Sequence, residues 1–248
     1  MVYLGIALCF LPLIISFVLF ASIFKIKVTH ELIAILLGLA AVFPISVIQY
    51  FLPEVPILRT MPILKSLLKS LFIYGLVEEI IKMVLVLPLP HKNYSILHFL
   101  LLSFLMGLAV GCFESLVYFL DKLQIANSRG ASLLYGQIFV RIISSDLIHM
   151  TCTGLGALFI TSCRNKPKNF LILLAAISIH GFYDFFAGFH NGLKWFAIPV
   201  ILLGIVECRI KYSSVQNLCQ DRLTIFYYPL IIPQHTTRGR ADGSSPGS

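Results

Sequence analysis

The stretch FLILLAAISIHGFYDFFAGF, residues 170–189, is long and apolar enough to cross a bilayer as one helix, yet it carries His180 and Asp184 in its second half. A helix rises about 1.5 Å per residue, so about twenty residues span a hydrocarbon core of about 30 Å. An ionisable side chain at that depth costs at least about 2.5–3.5 kcal/mol, which makes such a pair a candidate for function. The run therefore predicts a membrane helix that brings chemistry into the bilayer.

The rest of the chain has the same character. Of its 248 residues, 58% are hydrophobic and only 12% charged, with a mean hydropathy of +0.91. A soluble domain has about 45–50% apolar and about 25% charged residues. The expected fold is all-α, a polytopic membrane helix bundle with any active site inside it. Apolar runs at 2–24, 29–52, 66–89, 94–120, 132–162, 170–189 and 194–210 suggest about seven crossings. The first run lacks a basic leader and a small-residue cleavage site, so it is expected to be retained rather than removed as a signal peptide. Residues 1–212 are expected to form one transmembrane domain, with 213–248 a short tail that ends in the polar, Gly/Ser-rich TTRGRADGSSPGS.

The net charge of +8 argues for lipid headgroups rather than nucleic acid, because Lys and Arg flank the apolar runs. One side of the membrane would hold Lys25, Lys27, Lys92, Arg164, Lys166, Lys168, Arg209, Lys211 and Arg222. The other would hold Arg59, Lys65, Lys69, Lys122, Arg129 and Lys194. The richer side is expected to be cytoplasmic, placing the N-terminus outside and the C-terminus inside. The six cysteines, Cys9, Cys112, Cys152, Cys163, Cys208 and Cys219, form no CxxC pair and are expected to be free thiols.

The third through sixth runs each carry acids or histidines at membrane depth. In YGLVEEIIKMVLVLP (74–88), Glu78 and Lys82 are i,i+4 and are expected to pair, leaving Glu79 about 100° round the helix. In SFLMGLAVGCFESLVYF (103–119), Ser103, Gly107 and Gly111 make a small-residue stripe. Glu114 falls within about 20° of that stripe and so faces the bundle, with Tyr118 one turn on as a hydrogen-bond partner. In RIISSDLIHMTCTGLGALF (141–159), Asp146 and His149 are i,i+3 and expected to touch, and Arg141 is a supporting residue at the interface. His180 and Asp184 are i,i+4, a carboxylate that can orient an imidazole.

Carboxylates and imidazoles converging in a dry bundle suit metal binding with water activation, water activation without metal, or proton relay. Glu79, Glu114, His149 and His180 are the candidate metal ligands, with zinc the candidate ion. No Ser or Cys sits in a nucleophile motif, and there is no HExxH and no phosphate loop.

The ordered set EEIIK, GLAVGCFESLVY, Arg141 with HMTCTG, and HGFYDF resembles the PrsW family of polytopic proteases over residues 70–190. That family belongs with the CAAX prenyl endopeptidases and bacterial immunity-type membrane proteins. Around the second glutamate, where those proteins have Phe and Asn, this chain has Val110 and Ser115. The resemblance implies an intramembrane endopeptidase of a bacterial cell membrane that cuts a membrane-anchored protein substrate, with anti-sigma factors the best-known class. It implies catalytic positions at Glu78, Glu79, Glu114, His149, His180 and Asp184, supported by Lys82. Zinc-dependent and metal-independent mechanisms both stand open, as does the choice of base between Glu78 and Glu79. The rival readings are a proton- or ion-coupled transporter and a non-catalytic membrane protein on the same scaffold.

Overall fold

The structure, a computed structural model, describes residues 2–52, 61–90, 95–126, 131–165, 169–189 and 192–227. Arg59, Lys92, Arg129, Lys166, Lys168 and residues 228–248 lie outside the described residues, as do the side chains of Cys163, Arg164, Cys219 and Arg222. The described residues are helical, with no strand among them. The elements are α1 (Val2–Ile23), α2 (Val28–Phe51), α3 (Pro62–Lys69), α4 (Val77–Val86), α5 (Ile96–Ala126), α6 (Ala131–Asn165), α7 (Phe170–Ala187) and α8 (Ala197–Tyr227). A π-helical segment, Ser70–Leu76, joins α3 to α4, and a 3-10 turn, Gly192–Phe196, leads into α8.

Five helices, α1, α2, α5, α6 and α7, are long and apolar enough to cross a membrane. The expected third run is the continuous path α3, π segment, α4, interrupted in its regular geometry and carrying Glu78, Glu79 and Lys82. The expected seventh is α8, which includes Glu207, Arg209 and Lys211 and continues to Tyr227. The segment expected as a tail from residue 213 is therefore helical in its first part.

Apolar residues coat the outside. Leu4, Leu11, Ile15, Val18, Leu36, Phe43, Ile80, Val84, Leu87 and Leu202 are all exposed, more apolar surface than a soluble monomer carries and suited to lipid. In α4 the division is sharp. Ile80, Val84 and Leu87 follow an i, i+4, i+7 row outward, while Glu78, Glu79, Lys82 and Val86 are buried.

α5 is the central helix. Its Leu102, Leu105, Met106 and Ala109 are fully buried in the core that α1, α2, α4 and α6 complete. The small-residue stripe does what its spacing predicts. A Cβ on Gly107 would lie 2.5 Å from the His149 carbonyl oxygen, and one on Gly111 would lie 2.7 Å from the Asp146 Cα. The α5 and α6 backbones thus touch where Glu114 and His149 must meet. A second close contact pairs the π segment with α7: a Cβ on Gly75 would lie 2.6 Å from the Ile177 carbonyl oxygen, and one on Gly181 would lie 2.8 Å from the Leu71 Cα.

Gly107→Val should therefore lower the unfolding temperature in detergent, at a cost of about 1–3 kcal/mol typical of overpacking. Gly136→Val, where a Cβ meets nothing within 4 Å, should leave it nearly unchanged. Equal unfolding temperatures for the two variants would contradict the α5–α6 packing described.

Candidate active site

Four helices converge on one buried cluster. Glu78, Glu79 and Lys82 come from α4, Glu114 from α5, His149 from α6, and His180 with Asp184 from α7. His180 is seven residues, or about 10 Å, before the end of α7 at Ala187. The cluster therefore lies nearer the face where α7 ends and α1 begins.

The paired glutamates divide their neighbours differently from the spacing expectation. Lys82 pairs with Glu79, not Glu78. Glu78 is drawn to α2, where Gln49 Nε2 donates to its Oε1 at 2.9 Å and approaches the Ile73 carbonyl at 3.4 Å. The 100° between adjacent helical residues thus sends Glu78 toward α2 and Glu79 toward α7, and both stay buried. Lys82 is fully buried, and its Nζ also donates to His149 Nδ1 at 3.2 Å. An ammonium taken out of water loses several kcal/mol of hydration, which this pairing offsets.

Each imidazole is held on one side by a carboxylate. His180 Nδ1 lies 2.6 Å from Glu79 Oε1, and His149 Nε2 lies 2.9 Å from Glu114 Oε2. Carboxylates only accept, so these nitrogens carry protons. The other nitrogens turn toward Glu78: His180 Nε2 is 3.6 Å and His149 Nδ1 3.9 Å from Glu78 Oε2. That Oε2 is buried and has no hydrogen-bond partner among the described residues. The two rings meet edge to face, with centroids 4.8 Å apart. His180 and Asp184 are near, as expected, at 3.5 Å between Nε2 and Oδ2.

The arrangement suits a divalent ion. Glu78, His149 and His180 each offer a ligand atom, and these atoms all lie within 4.8 Å of one another. A gap bounded by an orphaned carboxylate oxygen and an imidazole lone pair favours a cation. Two imidazoles and one carboxylate form a known catalytic zinc set, and the carboxylates behind each ring are the outer partners such ligands use. Of the expected ligand set, His149 and His180 belong to this group. Glu79 and Glu114 stand behind the rings, and Glu78 takes the place expected for Glu79.

One other pairing departs from expectation. Asp146 does not bond His149. With the backbones in contact at Gly111, it accepts from Ser115 Oγ at 2.8 Å and from Cys112 Sγ at 3.7 Å on α5. Tyr118 stacks its ring 4.8 Å under the Arg141 guanidinium, which lies 3.7 Å from Glu114 and donates to Ser145 Oγ at 3.2 Å. Arg141 is thus part of the cluster's rim. Sequence reasoning passed over Gln49, whose only signal is an amide inside an apolar run. It also passed over Glu31, fully buried in α2 with both carboxylate oxygens unpartnered among the described residues. Cys9, Cys112, Cys152 and Cys208 are free and buried.

Breaking the buried pair should be costly. Lys82→Met and Glu79→Gln should each destabilise the protein by about 3–5 kcal/mol, whereas the double variant should lose much less than their sum. Additive losses would show that the two side chains do not depend on one another.

A family model described as PrsW family intramembrane metalloprotease matches residues 27–206, which takes in every residue of the cluster. No curated protein and no solved structure matches the chain. With the match spanning most of the chain and all four helices that build the cluster, the protein belongs to the PrsW family of intramembrane metalloproteases.

Proposed function

We propose that the chain is a metal-dependent endopeptidase that cleaves a single-span, membrane-anchored protein close to the membrane surface. An anti-sigma factor is the substrate class the family suggests. The observation that carries this reading is the orphaned Glu78 Oε2 facing two imidazoles that are each fixed from behind by a carboxylate. In this reading Glu78, His149 and His180 would hold the ion, with the His149 Nδ1 lone pair given up by Lys82, which would keep Glu79 as its partner. The chemistry supplied by zinc held there is polarisation of a carbonyl and activation of water near neutral pH.

The remaining steps belong to side chains of this protein. Glu114, with 31% of its side chain exposed, and Asp184, with 26%, are accessible, whereas Glu78 and Glu79 are sealed, and of the two accessible acids Glu114 is the one held by both His149 and Arg141. Glu114 takes a proton from the attacking water as its oxygen bonds to the peptide carbon. It then gives that proton to the departing amide nitrogen as the C–N bond breaks. Arg141 and His149 hold the Glu114 carboxylate in place through both events. Glu79 keeps the proton on His180 Nδ1 and so leaves its Nε2 lone pair toward Glu78.

The chamber where this takes place, about 360 Å³, is lined by Glu78, Glu114, His180, Tyr183 and Asp184, and by Ala187 and Gly188 at the end of α7. It opens toward the face from which α1 starts. With the N-terminus outside, cleavage would occur from the outer side, consistent with a first cut that initiates a signalling cascade.

One contact favours a second reading. The Lys82 ammonium sits 3.2 Å from His149 Nδ1, a nitrogen that faces Glu78. In a metal-independent enzyme Lys82 would fix the His149 tautomer, and the glutamates would activate water alone.

The test is hydrolysis of membrane-anchored peptides by the purified protein in lipid nanodiscs. At zinc concentrations that saturate the site, Glu114→Gln should lower kcat by about 10²–10⁴ fold, and a strong zinc chelator should abolish cleavage reversibly. Cleavage that survives full chelation would move the assignment to the metal-independent reading. Full activity in Glu114→Gln would remove Glu114 as the base.

A further inference from the structure

A second cavity, about 380 Å³, lies between α2 and α5 and shares Gln49, Glu114 and Arg141 with the catalytic chamber. Its volume falls in the range of about 300–1,000 Å³ typical of ligand pockets. Val42 and Ile45 from α2 and Val110 and Val117 from α5 give it an apolar patch, beside which Ser46 and Tyr118 also line it. Its two acids are already paired. Asp121 Oδ2 holds Lys122 at 2.9 Å, and Glu114 has His149 and Arg141. The cavity therefore presents an apolar patch flanked by polar groups whose acids are paired.

At the wall between the two cavities the Arg141 Nε is buried and has no hydrogen-bond partner among the described residues. A buried, unused N–H costs about 1–3 kcal/mol, and the partner it lacks is an acceptor such as a carbonyl oxygen. A substrate must leave its helix to expose a peptide bond. Its freed carbonyls then need donors within the membrane. An extended segment crossing from one cavity to the other would pass Arg141, whose side chain must turn to present that buried donor, with successive segment side chains facing opposite sides.

We propose that the α2–α5 cavity is a specificity subsite that receives an apolar side chain next to the scissile bond, while Arg141 Nε–H holds the adjoining backbone carbonyl. The proposal rests on reading the Glu78 chamber as the place of cleavage. The two cavities are neighbours that share Gln49, Glu114 and Arg141, which argues for substrate as the occupant. Pro44, between Val42 and Ile45, withholds one N–H from the α2 ladder, so this wall is the weaker side of the cleft. Residues 42–49 are the part of the protein that determines which sequences are cut.

The test uses the full chain in nanodiscs with a panel of membrane-anchored peptides. Each peptide has an apolar span and a polar juxtamembrane segment in which one position at a time is Ala or Leu. Binding is followed by fluorescence anisotropy and hydrolysis by mass spectrometry. The wild-type protein should favour Leu over Ala by at least tenfold in kcat/KM at one position beside the cut. Val42→Trp and Val117→Trp, which fill the cavity from either wall, should each erase that preference while still cleaving the Ala peptide. A preference unchanged in both variants, or none in the wild type, would overturn the subsite, as would lipid alone competing for the cavity. If nothing is cleaved but Leu peptides bind at least tenfold tighter and lose that advantage in both variants, the subsite stands and the peptidase reading fails.

Discussion

Lys82 has no exposure to solvent, and a buried ammonium is tolerated only where acceptors replace its water. Its two acceptors are Glu79 on its own helix and His149 on α6. Glu79 in turn holds His180 on α7, and His149 holds Glu114 on α5. One cation therefore ties four helices together. Because the donors and acceptors alternate along this chain, removing one member leaves another buried and unpaired. The site is held rigid by the same forces that make it expensive to build, which is the condition for electrostatic preorganisation.

The packing around the network follows from its reach. Glu and His side chains meet across helices only where the backbones nearly touch, and glycines supply those approaches on both sides. Gly107 and Gly111 bring α5 against α6, and Gly75 and Gly181 bring the π segment against α7. The π-helical turn ends at Leu76, two residues before Glu78. Such turns accommodate one residue more than an α-helix does and recur at functional sites. Here the turn also presents the Ile73 carbonyl to Gln49, the residue that orients Glu78.

Much of this was legible in the sequence, because hydropathy and the cost of a charge in lipid are local facts. The apolar runs, the charged run of the third span, the inward placement of Glu114 and the packing role of Gly107 and Gly111 all follow from spacing. What spacing could not supply was the choice between alternatives of equal reach. Lys82 is within range of both Glu78 and Glu79, and the decision came from Gln49 on α2, a helix with no evident link to the motif. Asp146 can reach His149 along its own helix, but the closer neighbour was Ser115 on α5. The candidate metal ligands differ from the expected set for the same reason: once Lys82 and His180 engage Glu79, the free oxygen belongs to Glu78. The π segment left no signal in composition, since its residues are ordinary membrane-helix residues.

The proposed mechanism requires that Glu78, His149 and His180 form one metal centre. X-ray absorption at the zinc edge, on protein loaded with one equivalent of zinc, tests this most directly. The account predicts stoichiometric zinc in a shell of nitrogen and oxygen ligands with two imidazoles and no sulfur. One imidazole should be lost in His180→Ala, and Glu78→Gln should bind zinc weakly. Failure to bind zinc stoichiometrically, or a shell that contains sulfur or is unaltered by these substitutions, would contradict it.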